Sequence, residues 1–181
     1  MRLATAIFLE YNGISWKMKR SQRFRILQAI SKFPSFGLEA TADSESSRRA
    51  TVKLIKRAHK RISIVSGELN ADFYCNGEVQ NALKASAKKG FPIQLVFGPE
   101  MSLESLERLR KLVSNFNNVT LYKLPERPLR HYILVDDTVK VQHLHPTGTK
   151  EHRTVIKRNS NSVIAAYERN FARHVEKAQI I

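Results

Sequence analysis

The chain has 181 residues, 42% of them hydrophobic, which is enough for one ordinary domain with a real core plus a modest extension and excludes disorder of the whole chain. Lysine and arginine number 31 against 16 acidic residues, a net charge of +15 with a pI near 10.2, and such a field selects polyanionic partners, either phosphate backbones or anionic lipid surfaces. A lone cysteine, Cys75, excludes an internal disulfide and a Cys-rich zinc site and suits a reducing compartment, so the cytoplasm is the expected location.

Residues 1–45 read as a basic N-terminal extension and linker. The apolar run Leu3 to Leu9 is too short to span a bilayer, and no membrane anchor is expected. A basic helix is expected over Ser21 to Lys32, and Pro34 to Ser47, rich in Ser, Gly and Ala, reads as a linker ending in helix N-caps. The domain proper is expected over 46–181. A helix over Ser47–Lys60 precedes a strand at Ile62–Val65. Asn76 caps a helix over Glu78–Lys89 that stops at Gly90, and a strand follows at Ile93–Phe97. Ser102 opens a third helix with Leu103, Leu106, Leu109, Val113 and Phe116 at helical spacing, broken by Asn117-Asn118 before a strand at Val119–Leu124. Strands at Arg130–Val135 and Val139–Leu144 flank the turn Asp136-Asp137-Thr138. A last strand at Thr154–Lys157 leads into a helix with Ile164, Tyr167, Phe171, Val175 and Ala178 as its apolar stripe, and the chain is expected to end on it. Alternation of helical and strand periods predicts an α/β domain.

Two basic constellations stand out. On the helix after the linker, Lys53, Lys56, Arg57 and Lys60 fall at i, i+3, i+4 and i+7, with Arg49 one turn earlier, so the cations share a face. Like charges at that spacing repel, and a phosphodiester backbone offsets the repulsion; a plain solvated face has the same spacing. In the extension, Lys19, Arg20, Arg23 and Arg25 interleave with Trp16 and Phe24, a combination that grips phosphates and stacks on bases, or else docks the extension by its aromatics.

The stretch Pro128-Leu129-Arg130-His131-Tyr132-Ile133-Leu134-Val135-Asp136-Asp137, with Ile62 to Glu68 and Ile93 to Pro99, resembles phospholipase D-like domains over roughly Ser46 to Lys177. The resemblance implies a phospholipase D-like α/β sandwich, a central mixed β-sheet flanked by helices on both faces. In that family a strand carries His-x-Lys-x-x-x-x-Asp, with a nucleophilic histidine and a phosphate-holding lysine. Residues two apart on a strand point to the same side, so the two converge on one pocket. With Asp136 in the aspartate position, the preferred register, Leu129 stands where the nucleophile belongs and His131 where the lysine belongs. With His131 as nucleophile, Ile133 replaces the lysine and Thr138 the aspartate. Gly148-Thr149-Lys150-Glu151 is the nearest counterpart of the family's downstream Gly-Ser-x-Asn, and its glutamate opposes phosphate. His143 and His145 alternate on the next strand and, with His131 or His152, offer a nucleophile, a general acid, metal ligands or phosphate contacts.

The expected function is nucleic-acid binding through the basic faces by a domain whose catalytic motif is degenerate, with no cofactor and no metal. Arg49, Lys53, Lys56, Arg57, Lys60, Lys19, Arg20, Arg23, Arg25, His143, His145 and Thr149 are the expected phosphate contacts, and His131 and Asp136 the residues of the former catalytic pocket. The alternatives are an active phosphodiesterase or nuclease using His131, and a structural component of a nucleoprotein assembly. The resemblance also implies a two-fold homodimer, since such domains complete a site from two copies.

Overall fold

The computed structural model describes residues 38–41, 44–67, 71–74, 76–143, 153–158 and 161–181. In chain order these form β1 (Leu38–Thr41), α1 (Ser44–Lys56), β2 (Ile62–Ser66), α2 (Ala71–Tyr74), α3 (Gly77–Ala87), β3 (Ile93–Phe97), α4 (Leu103–Val113), β4 (Val119–Lys123), β5 (His131–Val135), β6 (Thr138–His143), β7 (Arg153–Arg158), α5 (Asn161–Lys177) and β8 (Gln179–Ile180). The strands make one mixed sheet in the order β1-β7-β6-β5-β2-β3-β4-β8. β2, β3 and β4 run parallel, joined by helical crossovers, and the remaining neighbours are antiparallel.

Alternation along the strands sends side chains to two cores. Ile62, Ile64, Leu95, Phe97, Ile133 and Val135 face the layer that contains α1, α3 and α4. Val65, Val96, Tyr132, Leu134 and Val139 face α5 through Phe171. The sheet is thus covered on both faces, as expected of a phospholipase D-like sandwich. No helix among the described residues is long and apolar enough to cross a membrane.

Local signals set most boundaries. Asn76 accepts the N–H of Glu78 at the start of α3, and Ser102 accepts that of Ser105 at the start of α4. Gly90, at φ +85, takes the left-handed conformation that ends the turn after α3.

Four expectations are corrected. The expected linker holds β1, which pairs with β7 and covers an edge that would otherwise leave its N–H and C=O groups open. The expected domain start at 46 therefore falls inside α1, after a strand already in the sheet. The helix expected over Ser47–Lys60 runs from Ser44 to Lys56, so Arg57 and Lys60 lie beyond it. The chain does not end on its last helix: β8 returns to pair with β4 through Tyr122↔Ile180 and Lys123↔Gln179.

Candidate functional site

At the C-terminal ends of the parallel strands, β2 runs into Gly67 and β3 into Gly98. β5 enters beside them, because the register Val65↔Tyr132 sets His131 next to the Ser66-Gly67 corner. The Gly67 N–H donates to Nε2 of His131 at 2.9 Å, and the Gly98 N–H reaches the Gly67 carbonyl at 2.8 Å. A Cβ on Gly67 would stand 2.9 Å from His131 Nε2 and 3.3 Å from Arg127 Nε, so only glycine permits this approach. Arg127 pairs with Glu100 at 3.8 Å, closing the corner from the side of the loop after β4.

This geometry fixes the state of the imidazole. Burial, reinforced by the Arg127 charge and partly opposed by Glu100, holds the His131 pKa below the ordinary histidine value. A neutral imidazole whose Nε2 accepts a hydrogen bond carries its proton on Nδ1, so neither nitrogen has a lone pair free for attack on phosphorus. Leu129, which the register with Asp136 in the aspartate position would put in place of the nucleophile, is 91% exposed and lines a groove with Arg127, Arg130 and Tyr167.

Asp136 stands at the other end of β5, five residues from His131, roughly 16 Å at about 3.3 Å per residue. The two residues expected in one pocket are not brought together. Asp136 lies in the β5–β6 turn at φ 49, a left-handed conformation that Asp tolerates better than most residues. Its Oδ2 accepts the His59 N–H at 2.9 Å, and its Oδ1 accepts the N–H groups of Lys60 at 2.9 Å and Arg61 at 3.0 Å. This explains why α1 ends early: three N–H groups that would continue the helix are turned onto a carboxylate. The Lys89 ammonium meanwhile takes the orphaned carbonyls of Lys56 and Ala58, each at 3.0 Å.

The arginines and lysines of this half of the chain differ in their partners. Arg48 pairs with Glu78, Arg49 with Glu45, Arg61 with Glu168, and Arg108 with Glu104. Lys53, Lys56, Arg57 and Lys60 are exposed, and among the described residues none has a carboxylate within ion-pair distance. Lys53 and Arg57 line a cleft with His59, Asp136 and Asp137. Arg49, expected with them, has Glu45 as its acidic partner one turn earlier. Among the described residues no cluster of three or more His, Cys, Asp or Glu could hold a metal ion.

The backbone of His143 ends β6 opposite Arg153, with Gln142 opposite His131. Lys19, Arg20, Arg23, Arg25, His145 and Thr149 lie outside the described residues.

No protein-family profile matches the sequence, and no curated protein does. Solved structures do match. The phospholipase D family member Nuc from Salmonella typhimurium superposes with a TM-score of 0.65 at 14% identity, covering 80% of this chain and 97% of that one. NucT from Helicobacter pylori gives 0.57 at 12% identity, covering 78% of this chain and 96% of that one. The chain has the phospholipase D-like fold. TrmBL2, described as an archaeal chromatin protein with a novel mode of DNA binding, also superposes with a TM-score of 0.65, at 13% identity over 98% of this chain and 65% of that one.

Within this phospholipase D-like fold, sequence reasoning finds His131 but misses the groups that hold it, namely Gly67, Arg127 and Glu100. The readable signal for the first is a glycine directly after each of two parallel strands, at Gly67 and Gly98, where the chain turns at the end of the sheet. Arg127 and Glu100 belong to loops with no periodicity to mark them.

Proposed function

We propose that this protein is a phospholipase D-like domain that binds nucleic acid and does not cleave it. The observation that carries the reading is the quartet Lys53, Lys56, Arg57 and Lys60, exposed and, among the described residues, without a carboxylate in ion-pair distance while neighbouring arginines are paired. Cations without an ion-pair partner release counterions from a phosphate backbone on binding, which supplies affinity without base readout. Absence of cleavage follows from Leu129 in the nucleophile position and from the engagement of His131 Nε2 by Gly67. The likeness to a chromatin protein described as binding DNA supports the same reading.

The test is incubation of purified protein with labelled single- and double-stranded substrates in EDTA. Retention of the strand without cleavage is expected; cleavage abolished by His131→Ala would establish the phosphodiesterase reading instead. A second reading, an architectural role in a nucleoprotein assembly, is favoured by the TrmBL2 likeness, and binding that persists at high salt would support it. The reading places the protein in the cytoplasm as a two-fold homodimer. Sedimentation velocity tests the dimer, and a monomer across the micromolar range would remove it.

A further inference from the structure

At the end of the sheet opposite His131, a cleft of about 290 Å³ opens between α1 and the β5–β6 hairpin. Its floor is apolar, formed by the buried Leu54, Val135 and Ile156, and Lys53, Arg57, His59 and Asp137 stand exposed around it. Asp136 also borders it, but the Asp136 oxygens already accept three backbone N–H groups. Asp137 is exposed, and its Oδ1 accepts only a long 3.4 Å contact from the neighbouring Thr138 hydroxyl among the described residues. The groups left open to a ligand are therefore two cations, the exposed His59 ring and one carboxylate around an apolar floor.

That combination discriminates between ligands. A bare phosphate satisfies Lys53 and Arg57 but is repelled by Asp137. A molecule with an anion at one end, a flat apolar ring, and hydroxyl or amine donors at the other satisfies all three features. The volume, about 290 Å³, falls just below the roughly 300–1,000 Å³ of small-molecule sites, which limits the occupant to one nucleotide and excludes a duplex.

We propose that this cleft takes a single nucleotide, its phosphate held by Lys53 and Arg57, its ring over Leu54 and Ile156, and its ribose hydroxyls or exocyclic amine donating to Asp137. The site lies apart from the His131 corner. The inference rests on the nucleic-acid reading and deepens it, making a phosphorylated terminal nucleotide of a strand, or a free mononucleotide of the same chemistry, the unit that is recognised.

The probe is adenosine monophosphate, titrated calorimetrically into the full chain, with inorganic phosphate and adenosine as separate titrants. The nucleotide is expected to bind at least roughly tenfold tighter than either fragment. Lys53→Ala and Arg57→Ala should each weaken it by about the same factor, and Asp137→Asn should weaken the nucleotide while strengthening inorganic phosphate, whose repulsion it removes. All three side chains are exposed, so the variants keep the fold. Equal affinity for nucleotide and phosphate, or indifference to Asp137→Asn, overturns the proposal. Competition by labelled strands with and without a terminal phosphate assigns the source: preference for the phosphorylated strand identifies a strand end, and equal competition identifies the free nucleotide. If strands bind and the mononucleotide does not, the cleft proposal alone fails; if neither binds, the nucleic-acid reading fails with it.

Discussion

Gly67 and His131 are joined by a 2.9 Å hydrogen bond in which a backbone N–H at the end of β2 donates to an imidazole at the start of β5. The bond makes the histidine a structural acceptor. Gly67→Ala would place a methyl group 2.9 Å from Nε2 and expel the ring, while His131→Ala would leave the Gly67 N–H without its partner. Each substitution is expected to lower unfolding free energy by about 1–3 kcal/mol in urea denaturation, with strand affinity unchanged. A loss of strand binding with unaltered stability would instead place His131 in the binding surface.

The same burial makes stability depend on pH. His131 is held below its ordinary value by burial and then by Arg127, with Glu100 opposing; His174 is held below by burial and then by Lys177. Between these lowered folded-state values and about 6.5 the unfolded chain binds more protons, so stability rises with pH in that window. The contribution is complete above about pH 6.5 and is lost as pH falls below it. The urea midpoint should therefore fall on acidification from about pH 7.5 to about pH 5.5, and His131→Gln, which keeps an acceptor, should flatten that fall. A midpoint that rises on acidification contradicts the assignment.

Asp136 has a different role from the one its motif position implies. Its carboxylate holds the N–H groups of His59, Lys60 and Arg61 from a left-handed backbone. Asp136→Ala should destabilise the fold by about 3 kcal/mol, through lost charge-assisted bonds and left-handed strain. Asp136→Asn, which tolerates the same backbone, should cost about 1 kcal/mol. Equal stability of all three proteins by urea denaturation would remove this role.

Lys140 clamps α1 to the sheet. Only 4% exposed on β6, its ammonium donates to the Ser47 carbonyl and hydroxyl, each at 2.9 Å, and to the Thr51 hydroxyl, and it lies 5.6 Å from the Phe73 ring. Lys140→Ala removes these bonds and opens a cavity, and should cost about 3 kcal/mol, with Lys140→Met recovering the packing part. Loss of less than about 1 kcal/mol in Lys140→Ala would show that the clamp contributes little.

The parallel half of the sheet is legible in the sequence because each strand there is a short apolar run bounded by a cap or a breaker. Asn76, Gly90 and Ser102 act locally, within three residues of the groups they satisfy. The end of α1 is not legible, since helical spacing continues through Lys56, Arg57 and Lys60 while the group that stops it, Asp136, is more than seventy residues away. β1 and β8 are set by open sheet edges and not by their own patterns, and two residues of β8 cannot show a period. At the site, the motif brings out His131 and Asp136 from side-chain identity, but both are held through backbone N–H groups, which carry no mark in a sequence. The basic spacing on α1 is legible; which of its cations gain a distant acidic partner depends on folding, as Arg48 and Glu78 show.

The most direct measurement is the salt dependence of strand affinity, by fluorescence anisotropy, for the native chain and for the combined variant Lys53→Ala, Lys56→Ala, Arg57→Ala and Lys60→Ala. Each phosphate contact contributes about 0.7 to the slope of log affinity against log salt on a single strand, so removing four should lower its magnitude by about 3, with the labelled strand intact throughout. An unchanged slope in a folded variant would show that the contacts lie elsewhere, and would contradict the account.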